Sequence, residues 1–405
     1  MATPTPLDIA RTELPPRLRP GAGLGVLDIT EFFGETTGGV RTYLLEKAHY
    51  VQRRPHLRQV IVVPGPRDEI LEASGVRCYR LHGPAIPTQK PYRVMLSAAS
   101  TGRIVAHEQP TLIEVGSAWL APWLARRAAR DHPVPAVWFY HSNFPRIIAP
   151  HPAAAGHVRL AASALAWRYV RRIGRMVQAT IAPCRSVARE LESAGVPNVV
   201  HVPLGVDLEL FTPGRRAHAG ETRRRFALPA GPLVLYVGRF AREKEIDLVL
   251  GAWGEVERRT GARLVLVGAG PGERALRRAG GAERAIWLGY QRDRARLADL
   301  YAAADLYLAP GPAETFGLSA MEALASGLPI LSVDQGGVAE AVSRSGAGRM
   351  YAAGDPAHFA EVAVALLGSD LPALGNIGRR YAEANHAWDR VLDRLFEVYH
   401  RILGV

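Results

Sequence analysis

Short apolar runs alternate with stretches of helical spacing along most of this chain of 405 residues. Leu24–Ile29, Gln59–Val63, Val76–Leu81, Thr111–Val115, Ala136–Tyr140 and Ala179–Ala182 are rich in branched and aromatic residues and have the length of buried strands. Between them Arg41–Val51, Trp119–Arg130 and Val158–Ile173 place apolar residues three and four apart, which predicts helices. A second series follows, with strands expected at Leu233–Val237, Arg263–Val267, Ala285–Leu288, Asp305–Leu308 and Pro329–Val333. Alternation of this kind predicts parallel sheets covered by helices on both faces. Two doubly wound α/β domains of similar size with a cleft between them are expected, and such sheets bind ligands beyond the carboxyl ends of their strands. The polar, Arg- and Gly-rich stretch from Gly205 to Pro232 reads as a linker. The tail from Pro372 to Leu403 reads as helices, with Trp388, Val391, Leu392, Leu395, Phe396, Tyr399 and Leu403 on one stripe.

The densest chemistry lies in Gly311–Leu331. Glu314 sits in a Pro/Gly loop after an expected strand, and the next helix begins near Phe316-Gly317-Leu318, with Glu322 a little over one turn in. The backbone N–H groups of a first helical turn attract an anion, so two carboxylates here flank an anion-binding spot. That arrangement suits a ligand with phosphates in the middle and hydroxyls at both ends, such as a nucleotide-sugar. Arg239 follows an expected strand directly and Lys244 comes five residues later, so both belong at the same sheet edge as Glu314. Two cations facing a helix N-terminus can hold a diphosphate and the charge that develops as it leaves.

In the first half of the chain Thr36-Thr-Gly38-Gly39-Val40-Arg41 opens a helix after the first strand, and two glycines there let backbone approach a ligand closely. His141 stands at the carboxyl end of a strand, where a structural hydrogen bond and a catalytic role are both open. Gly268-Ala-Gly270-Pro-Gly272 lacks the full spacing and the later acid of a dinucleotide fingerprint, and reads as a turn beside the nucleotide. His141, His151 and His157 have neither metal-ligand spacing nor neighbouring cysteines. The chain holds no Asp-x-Asp pair, so no metal bridging a diphosphate is expected, and Arg239 and Lys244 would take its place.

Charge changes the picture in one respect. The net charge is +12, and residues 1–195 hold 25 Lys and Arg against 14 Asp and Glu, whereas the rest is nearly balanced. An acidic partner for the first half and general Arg-rich drift, with three lysines among the 50 cations, are both open. Two cysteines, Cys78 and Cys184, cannot build a disulfide framework, and no run reaches the length of a membrane span, so a cytoplasmic protein without a signal peptide is expected.

These motifs resemble those of the retaining family-4 glycosyltransferases, the glycosyl transferases group 1, from Gly38-Gly39 to the terminal helix. The glutamate–seven-residue–glutamate motif from Glu314 to Glu322, with Phe316-Gly317-Leu318 inside it, carries the resemblance furthest. Arg239 and Lys244 match the family's diphosphate pair in spacing, Gly336–Glu340 its downstream Gly-Gly segment, and Ala182–Ser186 and Pro203–Asp207 two signatures around the hinge. The resemblance implies the GT-B fold of two Rossmann-like domains: residues 1–205 on the acceptor side, 206–387 binding the nucleotide-sugar, and a terminal helix, about 388–405, packing back onto the first.

It further implies that Glu314 and the amides of Phe316, Gly317 and Leu318 hold the sugar and diphosphate, with Gly268 beside them, and that Glu322 binds the ribose. Gly38 and Gly39 would approach the phosphates from the first domain and His141 would line the sugar face. His141, Glu314, Arg239 and Lys244 are the expected catalytic set. The family has Gly after the lysine, whereas this chain has Glu245.

The implied reaction is retaining, metal-independent hexosyl transfer, of the mannose or glucose type, from a UDP- or GDP-linked donor to an acceptor hydroxyl, without a cofactor. Tyr140–Pro145 and the Arg-rich first domain resemble bacterial mannosyltransferases and glycolipid synthases, which implies a glycolipid or cell-envelope glycan precursor as acceptor. Val158–Met176, with Trp167, Tyr169 and five arginines, is open to two readings: a helix on an anionic membrane at the inner face of the cell, or a core-packed helix with a solvated basic face. A sugar-nucleotide epimerase on the same fold and a non-enzymatic basic protein that binds membrane or nucleic acid are the rival functions. Nucleic acid is disfavoured, since it would leave Glu314 and Glu322 without a purpose.

Overall fold

A computed structural model describes residues 8–21, 23–34, 38–86, 92–148 and 156–404. The chain divides into two units, the first comprising residues 1–183, 188–202 and 392–405, the second residues 184–187 and 203–391.

The first unit is built from β1 (Leu24–Ile29), α1 (Gly39–Gln52), β2 (Leu57–Gly65), β3 (Glu69–Ala73), β4 (Val76–His82), α2 (Ala98–Glu108), β5 (Leu112–Val115), α3 (Ala121–Asp131) and β6 (Ala136–Phe139). The chain continues through α4 (Phe144–Ile147), α5 (Gly156–Gly174), β7 (Ala179–Ala182), α6 (Arg185–Ser193) and β8 (Val199–His201). The sheet runs β3-β4-β2-β1-β5-β6-β7-β8, parallel throughout except for β3, which pairs antiparallel with β4. Strand order reverses between β1 and β5, so the loops after these neighbours emerge side by side. Strands β1, β2, β5 and β7 are buried at every position, as expected where helices cover both faces.

Residues before β1 are folded against this unit. Ile9 N–H donates to Asp68 Oδ2 (2.8 Å), Arg103 Nη1 donates to Ile9 O (2.9 Å), and Leu18 N–H donates to the buried Glu108 (3.2 Å).

The second unit follows with α7 (Ala219–Arg225), β9 (Leu233–Val237), α8 (Ile246–Thr260), β10 (Arg263–Val267), α9 (Glu273–Leu276), β11 (Ala285–Gly289), α10 (Arg294–Ala303) and β12 (Leu306–Ala309). After these come α11 (Leu318–Ala325), β13 (Ile330–Val333), α12 (Gly336–Ser345), β14 (Gly348–Tyr351), α13 (Pro356–Leu367) and α14 (Leu371–Asn385); the last helix, α15 (Trp388–Leu403), belongs to the first unit from Leu392 onward. Its sheet, β11-β10-β9-β12-β13-β14, is wholly parallel and reverses order between β9 and β12. Trp253, Val249 and Phe359 pack with Leu264 and Leu306 in its core.

The stretch 205–232 is not the linker its composition predicts. A 3₁₀ turn at Pro213–His218 and helix α7 lay Arg215, Arg216 and Arg223 against Asp299 and Asp305, at 2.6, 3.1 and 3.0 Å, tying this segment into the second unit. Its arginines serve partners some eighty residues away, which local composition cannot show.

Cys78 and Cys184 are both free thiols. No single helix among the described residues is long and apolar enough to cross a membrane. Helices α13 and α14 together have the length and composition but are bent by 97°, and α13 buries Phe359, Ala360, Ala363 and Leu366 in the protein.

Candidate active site

In the second unit the switch point between β9 and β12 brings the expected residues together. Strand β9 runs into Gly238-Arg239 and a 3₁₀ turn at Arg242–Lys244. Strand β12 runs into the loop that holds Glu314. Lys244 forms an ion pair with Glu314 Oε1, and Arg239 pairs with Glu243 Oε1. Both pairs are partly open to solvent, so they are exchangeable contacts that a diphosphate could replace. Gly311 lets the two loops approach, because a Cβ there would lie 3.2 Å from Lys244 Cδ.

Helix α11 begins with no acid in its first turn and no side chain capping it. Gly317, at its N-cap, has φ +83°, and a Cβ there would collide with Val338. The downstream glycine pair fixes the same loop from below. Gly337 N–H donates to Glu314 O (2.7 Å), and a Cβ on Gly337 would lie 2.5 Å from Thr315 O. Glu314 and the helix start are therefore held by backbone contacts, while the carboxylate of Glu314 stays at the surface side with Lys244.

Glu322 lies on the inner face of α11 and is buried. Tyr301 Oη reaches its Oε2 at 3.1 Å, and Arg294 Nη2 lies 3.6 Å from Oε1. Burial pushes its pKa up to about 7, while Arg294 and Tyr301 pull the other way and Asp207 adds to the rise. Tyr307, on β12, donates to Val237 O (3.1 Å) and lies 2.8 Å from Ser319 Oγ, linking the end of β9 to the first turn of α11. Tyr301, Tyr307, Arg294 and Ser319 were not legible as site residues. A tyrosine in an apolar pattern reads as core, and only the Arg294–Glu322 and Tyr307–Ser319 contacts reveal otherwise.

Gly268 has a packing reason to be glycine, whatever contact it makes with a ligand. With φ +144° its Cβ would collide with Gly238 O, and a Cβ on Gly270 would collide with Phe240 O. Gly238 N–H donates to Val267 O at 3.0 Å and Phe240 N–H to Ala269 O at 3.0 Å, so the loops after β9 and β10 are pressed together. Protein packing alone demands these glycines. Glu245, where the family has Gly, sits at φ 49° and ψ 37°, a left-handed conformation that explains the family's preference and costs a non-Gly residue about 1–2 kcal/mol.

In the first unit Gly38 and Gly39 start α1, after β1. Among the described residues, chain neighbours aside, neither would bring a Cβ within 4 Å of another atom, so no packing seen there requires a glycine at either position. Thr36 and Thr37 lie outside the described residues. His141 follows β6, its ring stacked on Phe139 at 4.2 Å and tilted against Tyr43 at 5.0 Å. Burial, with the nearby Lys47 charge, lowers its pKa to about 3, so the imidazole is neutral at physiological pH. It can exchange hydrogen bonds but does not carry charge.

Below it lies a buried ionic network absent from the expected site. Lys47 Nζ lies 2.7 Å from Asp28 Oδ1 and 3.4 Å from Glu114 Oε2, Tyr43 Oη donates to Glu114 Oε1 (2.8 Å), and Tyr399 of α15 meets both Lys47 (2.9 Å) and Glu114. Burial raises the Glu114 carboxyl above its usual range against the pull of Lys47.

Comparison with known proteins agrees with this geometry. A sequence model of Glycosyltransferase Family 4 matches residues 37–210, and one of Glycosyl transferases group 1 matches residues 231–369. The chain is 29% identical over 388 residues to a GDP-mannose-dependent alpha-mannosyltransferase of Mycobacterium tuberculosis, covering 94% of this chain and 98% of that protein. It is 32% identical over 310 residues to the GDP-mannose-dependent alpha-(1-6)-phosphatidylinositol dimannoside mannosyltransferase of the same species, covering 75% and 78%. Among solved structures, a sucrose-phosphate synthase from Thermosynechococcus elongatus superposes with a TM-score of 0.77 at 21% identity, over 94% of this chain and 99% of the other, which establishes the GT-B fold of two Rossmann-like α/β units. Sequence, fold and the Glu314–Glu322 motif agree: the chain is a glycosyltransferase of family 4, the glycosyl transferases group 1.

Proposed function

We propose that this glycosyltransferase moves mannose from GDP-mannose to a hydroxyl of a glycolipid acceptor, with retention at the anomeric carbon and without a metal ion. The observation that carries the reading is the group at the β9–β12 switch point: Arg239 and Lys244 beside the uncapped start of α11, between Glu314 and the buried Glu322. GDP is favoured over UDP, and mannose over glucose, because both mycobacterial relatives are by name GDP-mannose-dependent and align with most of this chain. The name of the second places its acceptor among phosphatidylinositol mannosides, and this supports a lipid acceptor.

In this reading the diphosphate takes Arg239, Lys244 and the first amides of α11 as partners, and Lys244 exchanges Glu314 for a phosphate. Glu314, released, accepts hydrogen bonds from sugar hydroxyls, and Glu322 accepts them from the ribose. The bond from the anomeric carbon to the β-phosphate oxygen breaks with its electron pair going to GDP. The acceptor oxygen bonds the same face, and its proton passes to a phosphate oxygen of the departing GDP. The protein supplies positioning and neutralises the leaving charge. Two cations at the diphosphate support metal independence, since they can meet the charge that a metal would otherwise meet. In the first unit, Gly38, Gly39 and the neutral His141 are assigned to ligand contact.

The test is thermal stabilisation of the purified protein by GDP, GDP-mannose, UDP and UDP-glucose, followed by mannosyl transfer to membrane lipids with and without a chelator. GDP-mannose should stabilise the protein and transfer should survive chelation. Stabilisation by the uridine ligands alone would overturn the donor assignment, and loss of transfer on chelation would overturn metal independence.

A further inference from the structure

Arg294 is the first residue of α10, directly after the N-cap Asp293, whose carboxylate accepts from the N–H groups of Ala295 and Arg296. A cation in a first helical turn opposes the helix dipole, so α10 gains nothing from an arginine there. The side chain turns toward α11 instead: Nη2 lies 3.6 Å from Glu322 Oε1, and the guanidinium lies 5.4 Å from the centre of the Phe211 ring. That ring is a fixed seat. Phe211 is fully buried and meets Tyr301 edge-on at 5.5 Å. Arg379 Nη1, from α14, donates to Leu208 O (3.1 Å), Phe211 O (2.7 Å) and Ala325 O (2.7 Å), which fastens this segment to the end of α11. Asp207 closes the same turn by accepting from the N–H groups of Glu209 (3.2 Å) and Leu210 (2.9 Å). The Pro203–Asp207 signature thus leads into a turn that sets Phe211 under Arg294.

The two oxygens of Glu322 have different settings. Oε2 accepts from Tyr301 Oη at 3.1 Å, and Oε1 faces Arg294. From other elements, Asp207 and Tyr307 of β12 also act on this carboxyl, and Arg379 stands at the end of its helix. An ionised carboxylate only accepts hydrogen bonds, whereas a protonated one has a donor to satisfy and less to offer a pair of hydroxyls. Burial opposes ionisation most, Asp207 adds to it, and Arg294 is the strongest influence the other way, ahead of Tyr301, so the carboxyl titrates at about 7. Arg294 keeps its own charge throughout this range.

We infer that Arg294, seated on the Phe211 ring, is a positioning residue that holds Glu322 as an oriented carboxylate for the ribose hydroxyls of the donor. It acts through Glu322 and not on the nucleotide itself. This role rests on the assignment of Glu322 to the ribose, and it adds that the strength of nucleotide binding near neutral pH is set by a residue outside the Glu314–Glu322 motif.

The experiment is calorimetric titration of the full chain with GDP at pH 7 and 8.5, for wild type, Arg294→Gln, Arg294→Lys, Glu322→Gln and the double variant Arg294→Gln with Glu322→Gln. Each comparison is made between proteins at one pH, so the titration of the phosphates cancels. The Arg294 side chain is 40% exposed, and circular dichroism of its variants should stay native. Removing a cation this close should raise the midpoint of the Glu322 profile by about one pH unit. Arg294→Gln should therefore bind GDP about fivefold more weakly at pH 7 and nearly as well as wild type at pH 8.5. Arg294→Lys should restore most of the affinity at pH 7, and with Gln at 322 the Arg294→Gln change should have almost no effect at either pH. An equal loss at both pH values, or the same loss with Gln at 322, would mean that Arg294 serves the fold or the nucleotide directly, and would overturn the inference. Glu322→Gln that binds GDP as tightly as wild type at pH 8.5 would overturn the ribose assignment itself, and this role with it.

Discussion

Replacing Glu322 by Gln should remove a pH dependence from both stability and nucleotide binding. Its pKa rises from 4.5 to about 7 in the fold, chiefly through burial. A carboxyl whose folded pKa lies above its unfolded value holds its proton more tightly when folded. The linked stability is therefore full below about pH 4.5 and is lost as pH rises through about 7. A shift of this size corresponds to about 3 kcal/mol lost between pH 4.5 and 8. Donor binding should run the opposite way, because in the proposed function ribose hydroxyls donate to the ionised carboxylate. One unit below its pKa about a tenth of the carboxyl is ionised, so GDP should bind roughly tenfold more weakly at pH 6 than at its plateau. The phosphates of GDP titrate nearby, so the comparison is between wild type and Glu322→Gln, by calorimetry at several pH values and urea unfolding at pH 5 and 8. Glu322→Gln should bind GDP more weakly at pH 8 and show a shallower pH slope in both measurements. Identical slopes in the two proteins would refute the assignment of Glu322 to the ribose.

The other predictions concern the same site. Lys244→Ala should lower kcat by about 10²–10³-fold while circular dichroism stays native, since it removes a cation aimed at the leaving diphosphate; wild-type turnover would remove Lys244 from the site. Gly317→Ala should lower the melting temperature, because it forces a side chain to φ +83° and into Val338. Gly39→Ala, whose Cβ would meet no described residue beyond its chain neighbours within 4 Å, should leave melting unchanged and reduce turnover, and the reverse pattern would make Gly39 structural. Glu245→Gly should raise stability in urea by up to about 1 kcal/mol by relieving the left-handed conformation.

Strand and helix positions were largely legible because burial on both faces of a parallel sheet leaves apolar runs such as Leu233–Val237 and Arg263–Val267. The elements not anticipated were edge strands with weak patterns. β3 is partly or fully exposed at every position, and β14 is fully buried only at Tyr351. Glu314, Glu322, Arg239 and Lys244 were legible because each stands at a fixed offset from a strand or helix end, and the structure brings the four to one sheet edge. The Lys244–Glu314 pair was not, since its partners are 70 residues apart and their contact depends on β9 lying beside β12. The packing need for glycine at 268 was not legible, because it depends on the approach of Gly238 from a neighbouring loop. The Lys47–Asp28–Glu114 network was hidden for a related reason: its charges lie in β1, α1 and β5, where isolated polar residues are masked by apolar neighbours.

The central claim is sugar transfer from a donor held at the β9–β12 switch point, and analysis of the product tests it most directly. Wild type and Lys244→Ala are incubated with GDP-[¹³C]mannose and a lipid extract, and the labelled product is examined by NMR. Transfer at this site predicts free GDP and one lipid-linked mannose in the α configuration from the wild type, and almost none from the variant. A β-linked product, an isomerised nucleotide-sugar with no acceptor product, or equal yields from the two proteins would contradict it.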